Sequence, residues 1–106
     1  MVNRGEVYLV NLDPTIGSEV KKTRPCIIVS PDEMNKYIRT IVIAPMTTRR
    51  RDYKSRVAIN FKGKQGQVML DQIRTIDKKR LITKLGTLSV KEIKAVMSVL
   101  QEMFTY

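Results

Sequence analysis

Thr23-Arg24-Pro25-Cys26-Ile27-Ile28-Val29-Ser30 is the stretch on which the fold turns. Cys26 to Val29 are apolar without a break, and so short a run reads as a fully buried strand. Pro25 has no N–H to give a sheet ladder, which places it at a strand's first residue or on an edge. Arg24 therefore stands where core meets surface, at the mouth of a cleft. A second strand, Thr40-Ile41-Val42-Ile43-Ala44, ends in Pro45-Met46-Thr47-Thr48 and then Arg49-Arg50-Arg51. Two buried strands thus run out into polar, partly cationic ends, an arrangement able to grip a phosphate.

Outward from these two strands the pattern stays that of short strands. Glu6 to Leu12 alternates and reads as a strand. Asp13-Pro14 starts a turn. Residues 13–22 read as a long, mobile hairpin loop carrying Ser18, Glu19, Lys21 and Lys22, and a loop of that length in a small domain is often functional. Ser30-Pro31-Asp32-Glu33 predicts a short helix to Tyr37, with Ser30 as N-cap and Pro31 in first position. Residues 49–55 form a basic loop, and Arg56 to Phe61 alternates as a strand. Gly63 and Gly66 bracket a turn. Gln67–Leu70 and Ile73–Ile76 are short strands with a bend between them. Asp77 to Leu81 reads as one helical turn and Ile82 to Leu88 as a strand. Ser89-Val90-Lys91-Glu92 is a capping box. The helix it opens carries Val90, Ile93, Val96, Met97, Leu100 and Phe104 as one apolar stripe that packs on the sheet. Many short strands with one terminal helix predict a mainly β fold, a small and strongly bent β-barrel, as one domain over residues 1–106.

Composition narrows the chemistry. The 42% hydrophobic content is enough for a core and argues against disorder. No apolar stretch approaches the length of a membrane span, and the first residues lack the apolar core of a signal peptide. Histidine is absent, which removes the commonest general acid/base, and with a single cysteine a zinc site is not expected. Cys26 reads as an inert buried thiol. No Gly-rich phosphate loop appears. No cofactor or metal is expected, and catalysis falls to Arg, Lys, Thr, Ser, Tyr, Asp or Glu. Twenty basic residues against 10 acidic ones leave a net charge of +10, which attracts polyanions, nucleic acid first and an acidic protein second.

Four ordered segments resemble the MazF/PemK family of toxin endoribonucleases. They are Arg4-Gly5-Glu6-Val7-Tyr8-Leu9-Val10 with Leu12-Asp13-Pro14-Thr15-Ile16-Gly17-Ser18-Glu19, then Thr23-Arg24-Pro25, then Pro45-Met46-Thr47-Thr48, and last Asp71-Gln72-Ile73-Arg74-Thr75-Ile76-Asp77. The resemblance implies the SH3-like barrel of MazF, Kid and CcdB proteins, usually as a homodimer. It implies metal-independent, sequence-specific cleavage of single-stranded RNA, mainly mRNA, to 2′,3′-cyclic phosphate and 5′-OH ends. It also implies a cytoplasmic toxin held by an acidic, MazE-like antitoxin whose disordered tail covers the groove. Two other classes remain: a CcdB-like gyrase poison without enzymatic activity, and a plain nucleic-acid-binding barrel.

Metal-free RNA cleavage needs the 2′-OH deprotonated, the leaving 5′-oxygen protonated and the charge on the phosphorus oxygens neutralised. Arg24 suits the last role, because its planar fork matches phosphate oxygens, and proton delivery to the leaving oxygen is a second role open to it. An arginine stays charged at any working pH, so it makes a poor base. Thr47 matches the family's active-site threonine, whose hydroxyl can donate to a phosphate oxygen. Thr48 is expected on the other face, as a structural residue or a secondary RNA contact. Glu19 accepts a proton or orders Arg24 by pairing. Ser18 stands where some relatives have histidine, which leaves the substrate itself, Glu19 or a water as base. Asp71 matches an aspartate tied to activity in some relatives, and acts as base or braces Arg74. Gln72 and Arg74 line the RNA groove with Ser18, Lys21 and Lys22. Arg49, Arg50, Arg51, Lys54 and Arg56 track the RNA backbone, and Tyr53 stacks on a base.

Overall fold

The computed structural model describes residues 1–106. Its strands are β1 (Glu6–Asn11), β2 (Thr23–Ile28), β3 (Thr40–Thr47), β4 (Arg56–Phe61), β5 (Lys64–Met69), β6 (Arg74–Asp77) and β7 (Leu81–Thr87). Helix α1 spans Asp32–Tyr37 and α2 spans Val90–Met103, with 3-10 turns at Leu70–Gln72 and Lys78–Arg80. The sheet runs β4-β5-β3-β2-β1-β7, and β6 pairs with β3 off that path. Every pairing is antiparallel.

The unbroken apolar runs of β2 and β3 are central because the curled sheet is buried on both faces. Side chains alternate along a strand, so successive residues enter two different cores. Ile27, Val29, Ala44 and Met46 join Val57, Ile59, Val68 and Leu70 in one core, into which Val96 of α2 descends. Cys26, Ile28, Ile41 and Ile43 join Val10, Leu12 and Ile76 in the other. Each fully buried isoleucine contributes about 1.5–3 kcal/mol. The architecture is the mainly β, strongly bent sheet with a C-terminal helix that the sequence predicts.

The prolines mark where ladders lapse. Pro25 is the third residue of β2, inside the strand rather than at its first position. It faces Leu9 of β1, and β3 covers β2 only from Cys26 onward, so the missing N–H falls on an unpaired flank. Pro45 does not end its strand. It sits where β3 exchanges partners, between Thr40–Ile43 paired to β6 and Met46–Thr47 paired to β5. The strand therefore continues to Thr47 and carries that residue out beside β5.

Three local expectations are corrected. Pro31, not Ser30, holds the N-cap position of α1. The Ser30 hydroxyl turns inward instead, donating to Asn35 Oδ1 at 2.5 Å and accepting from Val42 N–H at 3.0 Å. Both side chains are buried and must pair internally. The β4–β5 turn is Lys62–Gly63, both with positive φ (53° and 77°), as a two-residue hairpin of this twist requires. Gly66 lies within β5, where a Cβ would stand 2.6 Å from the Thr47 carbonyl oxygen. The α2 stripe packs through Ile93, Val96 and Leu100, with Val99 added, while Val90 and Phe104 at its ends stay exposed.

Candidate active site

The β2–β3 register pairs Cys26 with Pro45 and Ile27 with Ala44. That pairing stops two residues short of Arg24 and Thr47, and beyond it β5 sets Gln67 against Thr47. β1 places Val10 beside Arg24 on the far side. The arginine and the threonine that the sequence singles out thus lie just past the β2–β3 pairing, and both line the same groove. Arg24 is half-buried. The fold's two ion pairs, Arg56–Asp71 and Lys84–Glu6, leave its guanidinium free for an outside anion. Thr47 Oγ1 accepts the backbone N–H of Arg49 at 3.1 Å, so its own hydrogen remains to be donated. Behind the pair, burial pushes the Cys26 thiol up to about 12 against the pull of Arg24 and Arg74. That thiol stays protonated and unreactive.

Arg24 and Thr47 sit in a groove of about 760 Å³. One wall is the β1–β2 loop, with Ser18, Glu19, Lys21 and Lys22. The other is the β3–β4 loop and the start of β4, with Arg49, Arg51, Tyr53 and Arg56. Asp71 and Gln72 line it too. Six cations therefore face two carboxylates, Glu19 and Asp71, which is a surface for a polyanion. Four residues expected at the groove lie elsewhere. Thr48 lines an adjoining cavity of about 370 Å³ that shares Arg24 and Thr47. Arg50 lines a cavity with Asn60, Lys91 and Glu92. Lys54 borders α2 beside Val99 and Glu102. Arg74 spends a guanidinium N–H on the Leu12 carbonyl at 3.0 Å, bracing the base of the β1–β2 loop.

Partners inside the groove differ from those expected. Asp71 braces Arg56, not Arg74: its two oxygens accept Arg56 Nε at 2.7 Å and Nη2 at 3.1 Å, and Ser55 Oγ adds a third bond at 2.9 Å. Partial burial raises the Asp71 pKa, but the Arg56 and Ser55 bonds outweigh it and hold the carboxyl below its ordinary value. Arg56 also lies 5.0 Å from the centre of the exposed Tyr53 ring, so the arginine orients that ring as a platform. Glu19 does not pair with Arg24; its Oε1 accepts the Ile16 N–H at 2.7 Å. Gln72 accepts the Val20 N–H at 3.3 Å and donates to the Ser18 carbonyl at 3.4 Å, holding the β1–β2 loop. Sequence reasoning missed Gln67, a buried amide bonded to the β3–β4 loop. The one available signal is a polar side chain beside the apolar Val68–Leu70 run, since a buried polar group needs a partner.

Residues 3–104 match the family described as PemK-like, MazF-like toxin of type II toxin-antitoxin system. The chain is 39% identical over 102 residues to the endoribonuclease MazF of Staphylococcus saprophyticus subsp. saprophyticus, covering 91% of this chain and 85% of that protein. A solved endoribonuclease in complex with its cognate antitoxin, from a mycobacterial species, is similar over 100% of this chain and 99% of its own, with a TM-score of 0.84 and 25% identity. The crystal structure of MazF from Deinococcus radiodurans shares the fold with a TM-score of 0.84 at 24% identity, over 95% of this chain and 94% of that one. This chain belongs to the PemK/MazF family of type II toxin–antitoxin toxins.

Proposed function

We propose that this protein is an endoribonuclease toxin that cuts single-stranded RNA, mainly mRNA, at a short sequence motif without a metal. The observation that carries the reading is the unpaired Arg24 guanidinium lining one cationic groove with Thr47. The 2′-OH of the substrate attacks the adjacent phosphorus, and Glu19 takes its proton. Arg24 neutralises the charge that builds on the phosphoryl oxygens, and the Thr47 hydroxyl donates to one of them. The bond to the 5′-oxygen breaks, that oxygen takes a proton from water, Glu19 returns its proton to solvent, and the products are a 2′,3′-cyclic phosphate and a 5′-OH. Lys21, Lys22, Arg49 and Arg51 hold the flanking phosphates and Tyr53 stacks on a base.

The same reading makes the protein a cytoplasmic homodimer, restrained by an antitoxin whose acidic tail lies in the groove. The +10 charge and the antitoxin bound to the mycobacterial relative support that partner. Incubation of the folded, antitoxin-free protein with a long RNA in EDTA tests the activity. Discrete cuts with 5′-OH ends, absent from Arg24→Ala, are the expected result. Intact RNA would overturn it, and inhibition of gyrase supercoiling would then identify a gyrase poison.

A further inference from the structure

The side chain of Gln67 is buried and its amide bonds both backbone polar groups of one residue of the β3–β4 loop, Arg51. Gln67 Oε1 accepts the Arg51 N–H at 3.1 Å, and Gln67 Nε2 donates to the Arg51 carbonyl at 3.0 Å. Two bonds to one residue fix both the position and the rotation of that backbone, as a single bond cannot. Gln67 is only 8% exposed, so either bond, if lost, leaves a desolvated polar group. The clamp is anchored on β5 directly opposite Thr47. Upstream, the Arg49 N–H donates to Thr47 Oγ1, so the loop's first residues are tied to that hydroxyl as well. Between these two ties the chain sends Arg49 and Arg51 into the groove and Arg50 into the neighbouring cavity.

We propose that Gln67 is a positioning residue for RNA cleavage: its clamp on Arg51 sets which of the three consecutive arginines face the RNA and holds the Thr47 hydroxyl in place through Arg49. The proposal rests on the ribonuclease reading above, but the clamp itself has readouts that need no cleavage. Without the amide, the loop exchanges among arrangements in which Arg49 and Arg51 leave the groove. Phosphate contacts are then lost, and the Arg49–Thr47 bond no longer persists. Gln67 touches no substrate atom in this account. It acts through Arg49, Arg51 and Thr47.

The test compares the wild-type protein with Gln67→Met, which keeps the volume and removes both bonds, and with Gln67→Glu, which keeps only the acceptor for the Arg51 N–H. Circular dichroism and thermal melting establish which variants are folded. Hydrogen exchange at the Arg51 amide, the salt dependence of binding to a 2′-O-methyl RNA that cannot be cut, and kcat/KM on cleavable RNA are then measured. In Gln67→Met we expect the Arg51 amide to lose protection and the slope of log K against log salt to fall by about 1.4, since two phosphate contacts are lost and each to a single strand contributes about 0.7. kcat/KM drops about tenfold or more, with Gln67→Glu between it and wild type. A folded Gln67→Met with wild-type slope and wild-type kcat/KM overturns the proposal, as does a wild-type Arg51 amide that exchanges freely. Should the wild-type protein bind RNA without cutting it, the ribonuclease reading fails, and the exchange and salt measurements still decide the clamp.

Discussion

At the residue scale, chemistry in this groove is divided between groups held free and groups already engaged. Arg24 is free, and a preorganised donor to a developing oxyanion is worth about 10²–10³ in rate. Arg24→Ala and Thr47→Ala should each cut kcat by at least about a hundredfold, with circular dichroism unchanged; near-wild-type turnover by either folded variant removes that residue from the site. The two groove carboxylates are engaged unequally: Glu19 accepts one backbone N–H, that of Ile16, on a single oxygen. Asp71 is bonded to Arg56 and Ser55, and those bonds hold its pKa down. It is a weak base and a strong brace. Asp71→Asn should lower stability by about 1–3 kcal/mol, the usual cost of losing a charge-assisted hydrogen bond, and leave the acid limb of the pH–rate profile in place. Glu19→Gln should cut kcat about a hundredfold with the fold intact. Activity lost in Asp71→Asn and kept in Glu19→Gln would exchange their roles.

At the element scale, both loops that wall the groove are held by glutamines from the segment around β5: Gln67 grips the β3–β4 loop and Gln72 the β1–β2 loop. Helix α2 is fastened by its capping box, in which Ser89 Oγ accepts the Glu92 N–H at 3.1 Å and Glu92 Oε1 reaches back to the Ser89 N–H at 3.3 Å. The other Glu92 oxygen accepts the Asn60 N–H at 2.7 Å, so the cap also ties the helix to β4. Ser89→Ala should cost about 1 kcal/mol, and thermal melting should show it as a fall of roughly 4–8 °C for a domain near this size. RNA cleavage well below the transition should not change, because the cap lies outside the groove.

At the scale of the whole molecule, the excess of positive charge makes the few carboxylates matter for stability. Glu6 and Glu92, like Asp71, are pushed up by burial but held below their ordinary values by hydrogen bonds. For Glu6 the partners are Lys84 Nζ at 2.6 Å and the Asn3 N–H at 2.7 Å. A carboxyl whose pKa is lower folded than unfolded stabilises the fold fully above its unfolded value, near 4. That contribution drains away as pH falls through the folded value. Melting temperature should therefore decline on acidification below about pH 4.5. In Glu6→Gln the neutral stability should be lower and the decline shallower. A decline as steep as that of wild type would mean that the Glu6 contacts carry none of the acid sensitivity.

Local order in the chain determined the strands of the core, the capping box and the basic loop, because strand burial and helix caps are written in neighbouring residues. The unbroken runs Cys26–Val29 and Ile41–Ala44 could only be strands buried on both faces, and that placed Arg24 and Thr47 at their polar ends. Tertiary structure alone decided the partners. Asp71 is three residues from Arg74 but pairs with Arg56, fifteen positions away, because the β4–β5 register and the 3-10 turn at Leu70–Gln72 bring them together. Pro45 looks like a strand end, and only the exchange from β6 to β5 shows why β3 continues past it. Gln67 looks like any polar strand residue until the backbone N–H and carbonyl of Arg51 are found bonded to it. Such choices depend on which backbone groups lack a partner after the sheet has formed, and that is a property of the assembled ladder rather than of any segment.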